Sequence, residues 1–93
     1  MPAYFVARFE PKNPAALAEY SQSAAPIIKK FGGILLFKGG SESLICGSDT
    51  LTRIAVFEFP DRATLDSFYS SSEYEALVAK RNEGADMVLS AFG

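Results

Sequence analysis

The chain has 93 residues, 48% hydrophobic and 22% charged, the balance of one folded domain over residues 1–93 rather than of a disordered segment. Nine Lys and Arg against eleven Asp and Glu give a net charge of −2, which excludes the strong positive field that holds nucleic acid or an anionic membrane surface. With no His and one Cys, the sequence excludes a Ser-His-Asp triad, a His-ligated or multi-cysteine metal and an internal disulfide, and it calls for no cofactor.

The first residues lack a basic leader, and no apolar run approaches the ~20 residues that span a bilayer. A cytoplasmic location is expected, where a single thiol stays reduced. Residues 4–9 alternate with period two and read as a strand, with Phe5, Ala7 and Phe9 facing one way and Tyr4, Val6 and Arg8 the other. Asn13 followed by Pro14 is a helix start. Leu17, Tyr20, Ser21, Ala24, Ile28 and Phe31 then recur at helical spacing. Pro26 predicts a bend near Ala24–Pro26, and Gly32-Gly33 closes the helix.

Ile34 to Lys38 is a short apolar run bounded by glycines, a second strand, with Gly39-Gly40 as a turn signal. Ser43 to Cys46 reads as a short extension that hairpins back, with Cys46 as a small buried hydrophobe. Arg53 to Phe59 is the clearest strand, and Pro60 stops it. Asp61 caps a helix carrying Leu65, Phe68 and Tyr69. Ser70 to Glu73 fits a capping box that opens a second helical segment carrying Tyr74, Leu77, Val78 and Arg81 and ending at Gly84. Asp86 to Phe92 is the last strand.

Strand, helix, strand, strand, helix, strand is the ferredoxin-like βαββαβ order of an α+β fold with an antiparallel sheet. The first and third strands are expected to be central, adjacent and parallel, with both helices on one face. The other face should then be polar, yet it is not. Ile34 and Leu36 oppose Leu35 and Phe37, Ile54 and Val56 oppose Ala55, Phe57 and Phe59, and Met87 and Leu89 oppose Val88 and Phe92. A monomer would expose more apolar surface than soluble monomers do. A homodimer with its sheets packed face to face is expected.

Taken in order, Glu19-Tyr20, Ala25-Pro26-Ile27, Phe31-Gly32-Gly33, Lys38-Gly39-Gly40, Glu58-Phe59-Pro60, Phe68-Tyr69, Ser72-Glu73-Tyr74 and Arg81 carry a resemblance over nearly the whole chain. It resembles the family called Domain of Unknown Function 1330, within the dimeric α+β barrel superfamily. The resemblance implies a two-fold dimer, a cytosolic location and no agreed reaction. The family usually shows Arg-Gly-Gly where this chain has Lys38-Gly39-Gly40, and Lys keeps the charge but loses the planar fork that clamps a carboxylate. Related folds include cofactor-independent monooxygenases and small isomerases. The His or Trp that several of them use is absent from this chain.

Arg8, Lys38 and Glu58 recur at the same place in their strands, so parallel first and third strands put Arg8 and Glu58 side by side with Lys38 near them, either as a charged site or as a structural ion pair. Tyr20 and Tyr74 lie on helical stripes, where their hydroxyls can serve a ligand or simply tie the core together. Arg81 can bind an anion or cap its helix, and Gly39-Gly40 can admit a ligand to the backbone or merely turn the chain. Three functions compete. The first, and the favoured one, is binding of a small molecule, with anions among the candidates, between sheet and helices, with Tyr20, Lys38, Gly39, Gly40, Tyr74 and Arg81 as ligand-binding residues. The second is a cofactor-independent enzyme with Glu58 as its base and Lys38 or Arg81 stabilising an oxyanion. The third is a non-catalytic assembly module.

Overall fold

The computed structural model describes all residues 1–93. The elements run β1 (Ala3–Pro11), α1 (Pro14–Lys30), β2 (Ile34–Gly40), β3 (Arg53–Phe59), α2 (Arg62–Tyr69), α3 (Ser72–Glu75), α4 (Val78–Gly84) and β4 (Ala85–Phe92). One sheet forms in the order β2-β3-β1-β4, with every neighbouring pair antiparallel. This is the expected ferredoxin-like α+β fold, with one correction. β1 and β3 are central and adjacent, but antiparallel rather than parallel. Connectivity is the reason: α1 carries the chain back so that β2 runs with β1, and the return into β3 reverses it.

Side-chain hydrogen bonds fix the helix starts. Asn13 accepts a hydrogen bond from the Ala16 N–H at 3.2 Å, with Pro14 in the first helical position. Replacing Asn13 by Ala should cost about 1 kcal/mol in denaturant unfolding, because one free N–H of the first turn loses its acceptor. An unchanged midpoint would show the cap to be idle. α1 runs unbroken through Pro26. The missing proline N–H leaves the Gln22 carbonyl without its helical donor, and Gln22 is exposed, so water can serve it. Phe31 ends the helix and Gly32 takes φ +83°, the left-handed turn glycine adopts freely.

Asp61 caps α2 by accepting from the Thr64 N–H at 2.7 Å, which also holds its carboxyl below the usual range. The expected capping box differs in detail. Ser71, not Ser70, accepts from the Tyr74 N–H, and Glu73 turns outward to pair with Lys30 at 2.9 Å instead of bonding back. The second helical segment is also split into α3 and α4.

Helices cover one face of the sheet. Across-strand partners share a face, so Ala3, Phe5 and Ala7 lie with Phe59, Phe57 and Ala55. The core joins Phe5 and Phe59 to Tyr20, Ala24 and Ile28 of α1, Leu65 and Phe68 of α2, and Tyr74 of α3. The opposite face carries Tyr4, Val6 and Arg8 with Ile54, Val56 and Glu58, flanked by Val88 and Phe92 on one side and Ile34 and Phe37 on the other. Ile34, Phe37, Val88 and Phe92 are all exposed.

The expected alternation in β2 does not hold. The pairing shifts between Leu35 and Phe37, leaving Leu36 as the extra residue of a β-bulge. Leu35 therefore faces the helices, Phe37 faces away, and Lys38 turns back toward the helices beside Ala55. Gly39 and Gly40 do not form a turn; they continue the strand opposite Ile54 and Arg53. Residues 43–46 form no strand, and Cys46 is exposed rather than buried. Leu-Ile-Cys is apolar enough to pair, but no neighbouring strand is there to receive it.

Candidate functional site

α1 packs on α4 and stands off the sheet beside β1 and β3. Its N-terminal half is set by Gly84, where an added Cβ would meet the Leu17 backbone at 2.7 Å. Tyr20 is tied by its hydroxyl to Tyr74 at 2.7 Å. Small side chains then leave room between helix and sheet: Ser21, Ala24 and Ala25 on α1 face Ala7 and Ala55 on the sheet. The result is a cleft of about 370 Å³, walled also by Phe9, Phe57, Leu35 and Met87. Eleven of its fourteen lining residues are hydrophobic, so it favours an apolar occupant.

Lys38 is the sole charged residue on the wall. The β2 bulge brings it there, since regular pairing would have turned it to the opposite face. It forms no ion pair within the chain. An ammonium at the rim of an apolar cleft, with no carboxylate to neutralise it, attracts an anionic group.

Tyr20 also borders the cleft. Behind it lies a chain of polar groups. The Arg81 guanidinium donates to the Tyr74 hydroxyl at 3.1 Å and to the Tyr69 hydroxyl at 3.3 Å. Burial, reinforced by Tyr74, raises the Tyr20 pKa, so its phenol stays protonated. Burial works against the charge of Arg81, but the hydrogen bonds to Tyr74 and Tyr69 outweigh it and raise its pKa as well.

The remaining candidates lie elsewhere. Gly39 and Gly40 follow Lys38 at the end of β2, and a Cβ on Gly39 would meet nothing within 4 Å. Tyr74 and Arg81 are behind Tyr20 rather than on the cleft wall. Glu58 sits on the opposite face, across from Tyr4 and Ile34, beside a shallow depression of about 180 Å³ lined also by Pro2 and Pro60. The antiparallel pairing separates it from Arg8 by four residues of strand, about 13 Å. Arg8 pairs instead with Asp49 of the β2–β3 connection. Glu58 and Lys38 therefore do not meet as base and oxyanion partner within one protomer. No group of three or more potential metal ligands comes together, and no helix is long and apolar enough to cross a membrane.

Sequence reasoning missed Ser21, Ala25 and the alanine floor of the cleft. The signal was present as small residues at stripe positions of α1 opposite small residues of two central strands.

The family model for "Domain of unknown function (DUF1330)" matches residues 2–92, and the chain belongs to that family. No curated protein matches it in sequence. Among solved structures it is similar to a protein of unknown function from Rhodopseudomonas palustris, at 17% identity and TM-score 0.84 over 98% of this chain and 80% of that one. It is also similar to SnoaB, described as a cofactor-independent oxygenase from Streptomyces nogalater, at 12% identity and TM-score 0.72 over 99% and 91% of the two chains. A dimeric ferredoxin-like protein of unknown function from Jannaschia matches at 12% identity and TM-score 0.66, over 100% of this chain and 99% of that one. These likenesses establish the ferredoxin-like fold.

Proposed function

We propose that this member of the DUF1330 family is a cytoplasmic homodimer that binds a small, largely apolar molecule bearing one acidic group in the cleft between α1 and the sheet. The cleft carries the reading: about 370 Å³, apolar on most of its wall, with the unpaired Lys38 as its only charge. Apolar walls supply affinity and the single ammonium orients the acid. Tyr20 lies on the same wall, with Tyr74 and Arg81 bracing it. The bare Gly39-Gly40 backbone beyond Lys38 leaves the acid an open approach. Glu58 lies outside this site.

The dimer is supported by the exposed apolar face and by a similar protein described as dimeric. The lone exposed thiol of Cys46 suits a reducing compartment.

Titration with 2-naphthoate, a planar apolar acid, tests the reading. Binding is expected, and Lys38→Met should weaken it about tenfold, the usual worth of a hydrogen bond to a charged group. Equal affinity in the two proteins would remove Lys38 from the site, and no binding at all would reject the class of ligand.

A further inference from the structure

The buried tyrosine pair holds more hydroxyl protons than it has acceptors for them. The hydroxyls of Tyr20 and Tyr74 are 2.7 Å apart and share one hydrogen bond, whose donor is open from distance alone. Each hydroxyl carries one proton. The other partner of Tyr74 is Arg81, and guanidinium donates and never accepts. Two hydroxyl protons thus face one acceptor contact, and one proton has no acceptor in the protein.

Burial decides which proton that is. If Tyr20 donated to Tyr74, the Tyr74 oxygen would accept twice and its own proton would be stranded in a residue that is 0% exposed. A stranded buried donor is a large penalty beside the net gain of an ordinary hydrogen bond. If Tyr74 donates to Tyr20, the leftover proton belongs to the less buried of the two, which is 8% exposed and whose side chain borders the cleft. The chain then runs in one direction, Arg81 to Tyr74 to Tyr20, and each donation polarises the next hydroxyl.

We propose that Tyr20 presents its hydroxyl proton to the cleft as a pre-set donor, so that with Lys38 the site holds a ligand whose polar head is acceptor-only, such as a carboxylate or a ketone oxygen. This rests on the ligand-binding reading above and adds to it what the head group must be. Lys38 contributes charge, and Tyr20 contributes a neutral hydrogen bond that does not require a charged ligand. An alcohol or amine head would gain less, because its own proton would find no charged acceptor on the wall.

Three naphthalenes that differ only in the head group separate these contributions: 2-naphthoate, 2-acetonaphthone and 2-methylnaphthalene. Tyr20→Phe removes the proton and keeps the ring. It should weaken naphthoate about tenfold and acetonaphthone several-fold, with methylnaphthalene unchanged. Lys38→Met should weaken naphthoate far more than acetonaphthone, because only the acid loses a charge partner, which reports separately on the acid-binding reading. An equal loss for all three ligands in Tyr20→Phe would mean that the residue only shapes the cleft, and no loss for any would mean that its proton is not used; either result overturns the proposal. A second measurement needs no altered fold. The carbonyl stretch of ¹³C-labelled 2-acetonaphthone bound to the unaltered protein should fall below its value in a hydrocarbon solvent, and an unshifted band would overturn the proposal. If none of the three ligands binds the unaltered protein, the class of ligand is rejected, and both readings fall together.

Discussion

Replacing Phe68 by Ala should cost about 3–5 kcal/mol, the range for deleting a large buried aromatic side chain. Phe68 is fully buried and its ring meets four others: Phe5 at 5.4 Å, Phe59 at 5.2 Å, Tyr74 at 4.9 Å and Phe31 at 6.1 Å between centroids. Those partners belong to β1, β3, α3 and the end of α1, so one side chain joins α2 to the sheet and to two other helical segments. The contacts with Phe5 and Phe31 are edge-to-face, the geometry that aromatic quadrupoles favour. A small chain has little stability to spare, and each kcal/mol is worth about 4–8 °C at this size. The variant should therefore melt at least about 12 °C lower. Both proteins must be compared at one concentration, since self-association would make the midpoint concentration-dependent. A loss under about 1 kcal/mol would mean that α2 is not held through this ring.

Several elements were legible because their signals are local. Asn13-Pro14 and Asp61 are caps that need only their own helix, and both cap as expected. β3 is dense in β-branched and aromatic residues between Arg53 and Pro60, and its observed ends match the reading. Strand direction is different in kind, because it depends on how the whole chain folds back. Placing β1 and β3 parallel ignored the reversal that the β2–β3 connection imposes. That slip also put Glu58 beside Arg8, when the two lie toward opposite ends of the sheet.

The β2 bulge was not readable for a physical reason. Ile34 to Phe37 is apolar at every position, so period two leaves no trace and either register satisfies the pattern. The most consequential feature of the site, the turn of Lys38 toward the cleft, depends on that one extra residue. The cleft itself was half legible. Tyr20 and Lys38 stood out by their chemistry, whereas the alanines that make the space carry no functional group to notice. Cys46 was misread because apolar neighbours suggest burial only where something packs over them, and Leu44 and Ile45 are exposed as well.

Placing Glu at both Phe37 and Val88 should convert a homodimer of this chain into a folded monomer. The two residues lie toward opposite edges of the uncovered face, on β2 and β4, with Ile54, Val56 and Val6 between them. At 55% and 51% exposure, each side chain is more than half in water within one protomer. A carboxylate there stays hydrated in the monomer, so the fold should lose little. In a face-to-face dimer the same carboxylates would be stripped of water, and the cation nearest Val88 on that face, Arg8 across the strand pair, is already held by Asp49; an unpaired buried charge costs several kcal/mol, enough to dissociate a dimer of ordinary affinity. Native mass spectrometry should show twice the chain mass for the unaltered protein and the single chain mass for the double variant, with circular dichroism unchanged. A double variant that remains dimeric would locate the interface elsewhere. An unaltered protein that is monomeric even when concentrated would mean that the apolar face tolerates water. Loss of the dimer with naphthoate binding retained would show that each protomer's cleft is complete by itself. Loss of both would mean that the packed sheets hold the cleft open, because β1 and β3 supply its floor from one face and the interface from the other.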